Sequence, residues 1–264
     1  MKIFDGKKKA DKILADLKRR IKKEGTKLKL AVISVGKDPA SELFIRNKKR
    51  AARKLGIGIF HCRFSNKVKE KEIIRQIEAL NKHKDIAGIV VQLPLPLRLK
   101  EKKITEKIDF RKDVDGFQKK THFSSPLISA ILIALKSSAR NLKGKKIIAL
   151  VNSDFFGNTL KSSLSKEKIK INYLKNRKSP EIKSADIIIS VCGCPNFIKG
   201  DMIKKGVILI DGGIVVLKNG KVVGDVDRKS VARKASFLTP VPGGLGPLTV
   251  ALLLKNIYYA AKHS

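Results

Sequence analysis

The sequence predicts an α/β protein built from two α/β domains with mostly parallel sheets. Two stretches carry that prediction. Apolar β-branched runs alternate with amphipathic segments from Leu28 to Leu93, and the same alternation restarts at Lys145. Strands separated by helices imply crossover connections and a mostly parallel sheet. The length of 264 residues is enough for two modest domains, each with its own core.

Residues 8–24 place Ala10, Ile13, Leu14, Leu17 and Ile21 at helical spacing, which predicts an amphipathic helix. Leu28 to Val35 is an apolar, β-branched run ended by Gly36, as a buried strand requires. Asp38-Pro39 opens a helix that runs through Ser41 to Leu55 and stops at Gly56. A strand (57–64), a helix (69–83) and a strand (87–93) follow. Leu93-Pro-Leu-Pro96 halts that strand, because proline cannot continue a central ladder. A short basic helix is expected over 98–108, a turn pivoting on Gly116 over 113–117, and a helix from Pro126 to about Leu142. In the second block the expected elements are strands at 145–151, 170–174, 186–191 and 207–211, and a helix at 157–164. A hairpin over 214–223 should pivot on Lys218-Asn-Gly220. Pro240, Pro242 and Pro247 with Gly243, Gly244 and Gly246 form a stiff loop that feeds a final apolar helix, with Pro247 in its first turn. A side-chain-poor loop of this kind suits the wall of a pocket.

Composition narrows the function. Lys and Arg number 59 against 23 Asp and Glu, a formal charge of +36, which favours polyanions and phosphorylated or carboxylated ligands. The cations are spread over nearly every segment, and aromatic residues are 5% with no Trp, so base-stacking platforms are sparse. A lysine-rich solvated surface with no specific nucleic-acid partner is the expectation. No apolar run reaches the roughly 18 residues of a membrane span, and Met1–Lys9 lacks an apolar signal core. Three cysteines, two of them in Cys192-Gly-Cys194, fit neither a disulfide framework nor a zinc motif. The expected setting is the cytoplasm.

Open parallel sheets bind ligands at the carboxyl ends of their strands. Ser41, Phe44 and Lys48 on the helix after the first buried strand, Gln92 at a strand end, Asp115 in its turn and the Pro/Gly loop lie at such places. Phe44 and Lys48 are four apart and share one helix face. An amine over an aromatic ring, with an amide and a carboxylate nearby, could orient a planar heterocycle and move a proton. Each also has a plain structural reading: a solvated lysine in Lys48-Lys-Arg50, a satisfied Gln92, a turn-capping Asp115.

Taken in order, Asp38 to Ile57, Val90-Val-Gln-Leu-Pro-Leu-Pro96, Lys112-Asp-Val-Asp-Gly-Phe117 and Thr239 to Thr249 resemble the bifunctional methylenetetrahydrofolate dehydrogenase/methenyltetrahydrofolate cyclohydrolase family. Phe4-Asp-Gly6 and Asn219 to Val226 add to the likeness, which covers essentially the whole chain. The resemblance implies a catalytic folate-binding domain over 1–120, completed by helices at about 126–142 and 247–264. It implies a Rossmann-like nucleotide-binding domain with a parallel sheet over 143–241, a cleft between the two, and a homodimer. The implied activity is NADP-dependent oxidation of 5,10-methylenetetrahydrofolate to the methenyl form, then hydrolysis to 10-formyltetrahydrofolate, with NAD a possible coenzyme. Lys48, Gln92 and Asp115 would be catalytic, and Phe44, Pro242, Gly243 and Gly244 would bind substrate. Ser153, Gly157 and Ile214 would bind coenzyme, and no metal is implied.

The chain departs from the family pattern in places. Phe44 stands where tyrosine is usual, and Ser124-Ser-Pro126 replaces Cys-Thr-Pro. In the nucleotide loop Val151, Asn152 and Thr159 replace a glycine, a basic residue and a proline. A valine hinders backbone approach to pyrophosphate, and Asp154 adds negative charge there. A cyclohydrolase that has lost its dehydrogenase half is therefore the alternative, and a basic nucleic-acid-binding relative a more remote one.

Overall fold

The computed structural model describes residues 1–118 and 120–262. The chain forms two compact units, one made of Met1–Lys9 and Leu127–Thr249, the other of Ala10–Pro126 and the chain from Val250 onward. In order, the elements are β1 (Lys2–Ile3), α1 (Gly6–Glu24), β2 (Lys29–Val35), α2 (Pro39–Lys54), β3 (Gly58–Phe64), α3 (Glu70–Lys82), β4 (Gly88–Val91), α4 (Glu101–Thr105) and α5 (Pro126–Ser138). Then come β5 (Ile147–Val151), α6 (Asp154–Lys166), β6 (Asn172–Leu174), α7 (Glu181–Ser184), β7 (Ile187–Val191), β8 (Ile208–Asp211), β9 (Val215–Val216), β10 (Val222–Val223), α8 (Arg228–Val231), β11 (Phe237–Leu238) and α9 (Leu245–Ala260).

The unit that begins at Ala10 holds a parallel sheet of order β3-β2-β4. Successive side chains of a strand point to opposite faces, and β2 buries both of its faces. Leu30 and Val32 pack with Leu17 and Ile21 of α1, Ile45 and Ala52 of α2, and Leu253, Leu254 and Ile257 of α9. Ala31, Ile33 and Val35 pack on the other side with Ile73, Ile77 and Leu80 of α3. An apolar run rather than an alternating one is what a strand covered on both sides needs.

The unit that contains Leu127 to Thr249 holds a six-stranded sheet, β1-β11-β8-β7-β5-β6, in which every pairing is parallel. The chain leaves β5 for β6 on one side, then returns to β7 on the other. The strand order thus reverses between β5 and β7, and the crevice outside their carboxyl ends is the ligand site of such sheets. The expected two α/β halves and parallel nucleotide-type sheet are present.

Several boundaries differ from expectation. Helix α6 starts at Asp154, not Gly157, because Ser153 takes the N-cap and its Oγ accepts from Phe156 N at 3.3 Å. Helix α4 is confined to Glu101–Thr105 within the expected 98–108. Strands β1 and β11, two residues each, complete the six-stranded sheet and are too short to leave a periodic pattern. The expected final helix extends to residue 264, and its last two residues lie outside the described ones.

One buried cation fastens this architecture near the turn that carries Asp115. Lys112 is 8% exposed, and its Nζ donates to the carbonyls of Leu80 (3.2 Å), Asn81 (2.8 Å) and His83 (2.6 Å) at the end of α3. Leu80 O and His83 O also accept from the backbone N–H groups of His83 and Ile86, and the lysine adds a charged donor to all three carbonyls at the helix end. Lys112→Met keeps the apolar stem and removes the donors. It should destabilise the protein by about 1–3 kcal/mol, the worth of hydrogen bonds from a charged donor, measured by urea unfolding. An unchanged midpoint would contradict the capping role.

Candidate active site

Helix α2 sets the site. Asp38 caps it by accepting from Ser41 N at 2.7 Å, with Pro39 in the first turn. Its buried face is then Ser41, Ile45, Lys48 and Ala52, the spacing of one helical stripe. Lys48 is therefore 7% exposed, whereas its neighbours Lys49 and Arg50 lie in solvent. Phase on the helix, not composition, takes this lysine out of water. Phe44 is half-buried one turn before it.

The Lys48 amine donates to Gln92 Oε1 at 2.9 Å. Gln92 follows β4 and is held by its own backbone, whose N–H donates to Ile33 O at 2.8 Å. Its side-chain Nε2 donates to Leu93 O at 2.8 Å, which leaves Oε1 as the atom facing the amine. Asp115 is half-buried and close enough for the two charges to act on each other. Burial lowers the Lys48 pKa from its ordinary value, while the Asp115 charge opposes that shift. Burial raises Asp115, and Lys48 opposes in turn. Desolvation outweighs attraction at both groups, which favours the neutral amine. Ser41 Oγ is buried on the same helix stripe with no hydrogen-bond partner among the described residues.

The turn that carries Asp115 is staked from several sides. Asp113, 1% exposed, accepts from Gly116 N at 3.1 Å and from Gln118 N at 2.8 Å. Thr121 Oγ1 donates to Asp113 O at 3.1 Å, and Asn256 of α9 donates to Val114 O at 2.8 Å and Ser124 O at 3.1 Å. Gly116 has φ +71°, and a Cβ there would lie 2.6 Å from Phe123 O, so only glycine fits. Sequence reasoning missed Asp113 and Asn256. Asp113 sits in the quoted motif but its role depends on burial, and Asn256 lies far along the chain inside an apolar helix.

The other expected residues belong to the nucleotide-type unit. Ser153 caps α6, and Gly157 lies against Tyr173, where a Cβ would come within 2.6 Å of the ring. Val151 is the last, fully buried residue of β5. The Asp154 carboxylate is paired with Lys175 Nζ at 2.5 Å, which lowers its pKa. Its charge is thereby balanced by a neighbouring cation rather than left bare beside the helix N-terminus. The carboxyl end of β5, a following helix N-terminus and a neutralised Asp154 together fit a dinucleotide pyrophosphate. Ile214 is half-buried just after β8, its Cδ1 3.5 Å from where a Gly246 Cβ would be. Pro242 is exposed in the turn before α9, Gly243 has φ +104°, and Gly244 N donates to Pro240 O at 2.7 Å. The structure thus brings Lys48, Gln92 and Asp115 together in one unit and places the Pro/Gly loop, Ser153, Gly157 and Ile214 in the other. Among the described residues no group of His, Cys, Asp and Glu could hold a metal, and no helix is long and apolar enough to cross a membrane.

Comparison with known proteins agrees with this layout. Residues 4–115 match the family model for the catalytic domain of tetrahydrofolate dehydrogenase/cyclohydrolase, and residues 126–264 match that for its NAD(P)-binding domain. The bifunctional protein FolD of Moorella thermoacetica is 38% identical over 98% of both chains. The crystal structure of FolD, a methylenetetrahydrofolate dehydrogenase/cyclohydrolase, from Campylobacter jejuni superposes with a TM-score of 0.87 at 34% identity, covering 100% of this chain and 99% of that one. The corresponding enzyme of Trypanosoma brucei, solved with NADP and an inhibitor, gives a TM-score of 0.87 at 27% identity over 99% of this chain and 97% of that one.

Burial and the Asp115 charge push Asp113 up from 3.8 to about 6. A carboxyl whose folded pKa lies above its unfolded one binds more protons when folded between those values. Its ionisation therefore costs stability as pH rises from about 4 to 6. Asp113→Asn removes that titration. Relative to the parent, the variant should gain up to about 3 kcal/mol between pH 4 and 6, read from paired urea melts. A pH-independent difference would contradict the raised value.

Proposed function

The chain belongs to the tetrahydrofolate dehydrogenase/cyclohydrolase family, and from that membership we propose that it is a bifunctional folate enzyme. It oxidises 5,10-methylenetetrahydrofolate to 5,10-methenyltetrahydrofolate with NADP and hydrolyses the product to 10-formyltetrahydrofolate. The observation that carries the reading is the buried Lys48 amine, held 2.9 Å from Gln92 Oε1 and depressed in pKa by desolvation.

The bound nicotinamide supplies the hydride acceptor for the first step. The chain's own residues bind and orient. Phe44 offers an aromatic face to the pterin, and Asp115, when ionised, accepts from its amino and ring nitrogens. The orphan hydroxyl of Ser41 is spare for a polar contact with the substrate. In the second step the carbon between two nitrogens is electrophilic and water attacks it. Lys48, whose pKa desolvation lowers, takes the proton from that water in its neutral form, and Gln92 aims the amine through its fixed Oε1. The charge that Asp154 adds to the nucleotide loop is balanced by Lys175, and the match of residues 126–264 to the NAD(P)-binding domain supports the dehydrogenase half over a cyclohydrolase-only protein.

A homodimer and a cytoplasmic setting belong to the same reading. Strand β3 is the edge of its sheet and carries Phe60, 51% exposed, a surface a second copy would cover. The free cysteines suit a reducing compartment.

Lys48→Ala should lower cyclohydrolase kcat at least about 100-fold, the usual worth of a positioned proton acceptor, without loss of stability, since a desolvation cost leaves with it. Unchanged hydrolysis would sink the assignment. In the parent, cyclohydrolase kcat/KM should rise with pH to an inflection below the ordinary lysine value of 10.5. Asp115 raises the Lys48 pKa, so Asp115→Asn should move that inflection further down. An upward shift would reverse the electrostatics. NADP-dependent formation of methenyltetrahydrofolate by the purified protein tests the dehydrogenase half directly.

A further inference from the structure

Two buried acids outside the Lys48 site converge at the carboxyl ends of β7 and β8. Asp225 is fully buried, and its Oδ2 accepts from Ser190 Oγ at 2.6 Å and Cys192 N at 2.8 Å, while Oδ1 accepts from Cys194 N at 2.7 Å. Asp211, 2% exposed, accepts from Gly213 N (3.0 Å), Asp225 N (3.1 Å) and Val226 N (3.0 Å). Glycines make room for the pair on both sides. A Cβ on Gly213 would sit 2.1 Å from Asp225 Oδ1, and one on Gly224 would sit 2.1 Å from Asp211 Oδ2. Burial and the Asp225 charge push Asp211 up to about 7, so the arrangement carries an electrostatic cost. A costly pair of buried carboxylates that gathers loop N–H groups points to a geometric demand on those loops.

The loops in question flank the strand-order reversal. The Ser190–Cys194 segment follows β7, and Asn152, just after β5, donates its Nδ2 to Cys192 O across the gap between those strands. Asp225 thus holds the N–H groups of this loop while Asn152 holds a carbonyl. We propose that Asp225 is a positioning residue for the coenzyme: it fixes the peptide path from Ser190 to Cys194, so that this loop forms one wall of the nucleotide crevice between β5 and β7. The role rests on the reading of this unit as the NADP-binding half. It predicts that the loop is rigid before coenzyme arrives, and that loosening it weakens coenzyme binding without touching hydrolysis at Lys48, which lies in the other unit.

Asp225→Asn keeps the shape but removes the charge and turns one acceptor into a donor that faces a loop N–H group, that of Cys192 or of Cys194. Titration of NADPH fluorescence should give a Kd raised about tenfold or more, the worth of a lost charge-assisted buried hydrogen bond. Amide exchange at Cys192 and Cys194 should quicken by a similar factor, with Ile148, Ala149 and Leu150 of β5 unchanged and cyclohydrolase kcat/KM within about twofold of the parent. Ser190→Ala, which leaves both carboxylates in place, should shift Kd and exchange in the same direction by less. An unchanged Kd in a folded Asp225→Asn overturns the proposal. If that variant does not fold, an unchanged Kd in Ser190→Ala overturns it as well. Equal losses of hydrolysis and coenzyme binding in the folded variant also overturn it, because they mark a general scaffold role. A parent that binds neither NADPH nor NADH overturns the coenzyme reading and this proposal with it, and that result is seen before any substitution is made.

Discussion

A lysine amine held out of water is the constraint from which the candidate site follows. Taking an ammonium into a protein interior is costly unless its donors are met, and the group responds by shifting toward the neutral form. Here, among the described residues, the donor is met by one amide oxygen, Gln92 Oε1, and that amide is itself locked by Leu93 O and by its strand. The helix stripe of Ser41, Ile45, Lys48 and Ala52, the β2–β4 register and the turn at Asp115 all have to be right for that amine to stay buried against Gln92. Loosening any of them would return Lys48 to water and to an ordinary pKa.

The chain is short of acids, with 23 against 59 basic residues, yet it commits Asp113, Asp211 and Asp225 to its interior. All three accept backbone N–H groups in turns and loops at strand ends. An ionised carboxylate has only acceptor sites, so it can gather several N–H groups that no strand or helix would satisfy. The same device therefore shapes the Asp115 turn in one unit and the loops around the strand-order reversal in the other. The surplus of cations is left on the surface, where pairs such as Arg19–Asp16 and Lys102–Glu106 are exposed and contribute little.

The nucleotide loop shows how a departure from a pattern is absorbed. Asp154 places a negative charge in the first turn of α6, and Lys175 from the end of β6 answers it at 2.5 Å. Gly157 is required by the Tyr173 ring packed against it. That glycine serves helix–strand packing, one of the roles glycines take in dinucleotide folds.

The sequence by itself determined the alternation of strands and helices, the Asp38–Pro39 helix start, the Gly116 turn and the parallel character of both sheets. These follow from local periodicity and from residues whose backbone preferences are fixed by their own covalent structure. It also marked Lys48, Gln92 and Asp115, through a likeness spread over separated motifs. Tertiary structure alone decided that Lys48 is buried while Lys49 and Arg50 are not, because helix phase matters only once a core exists to receive it. It decided that β1 and β11 extend the larger sheet, that Asn256 braces a turn distant in sequence, and that Asp225 collects the N–H groups of Cys192 and Cys194. Those contacts join residues separated by tens to hundreds of positions, and no local pattern records which partners the folded chain will bring within hydrogen-bonding distance.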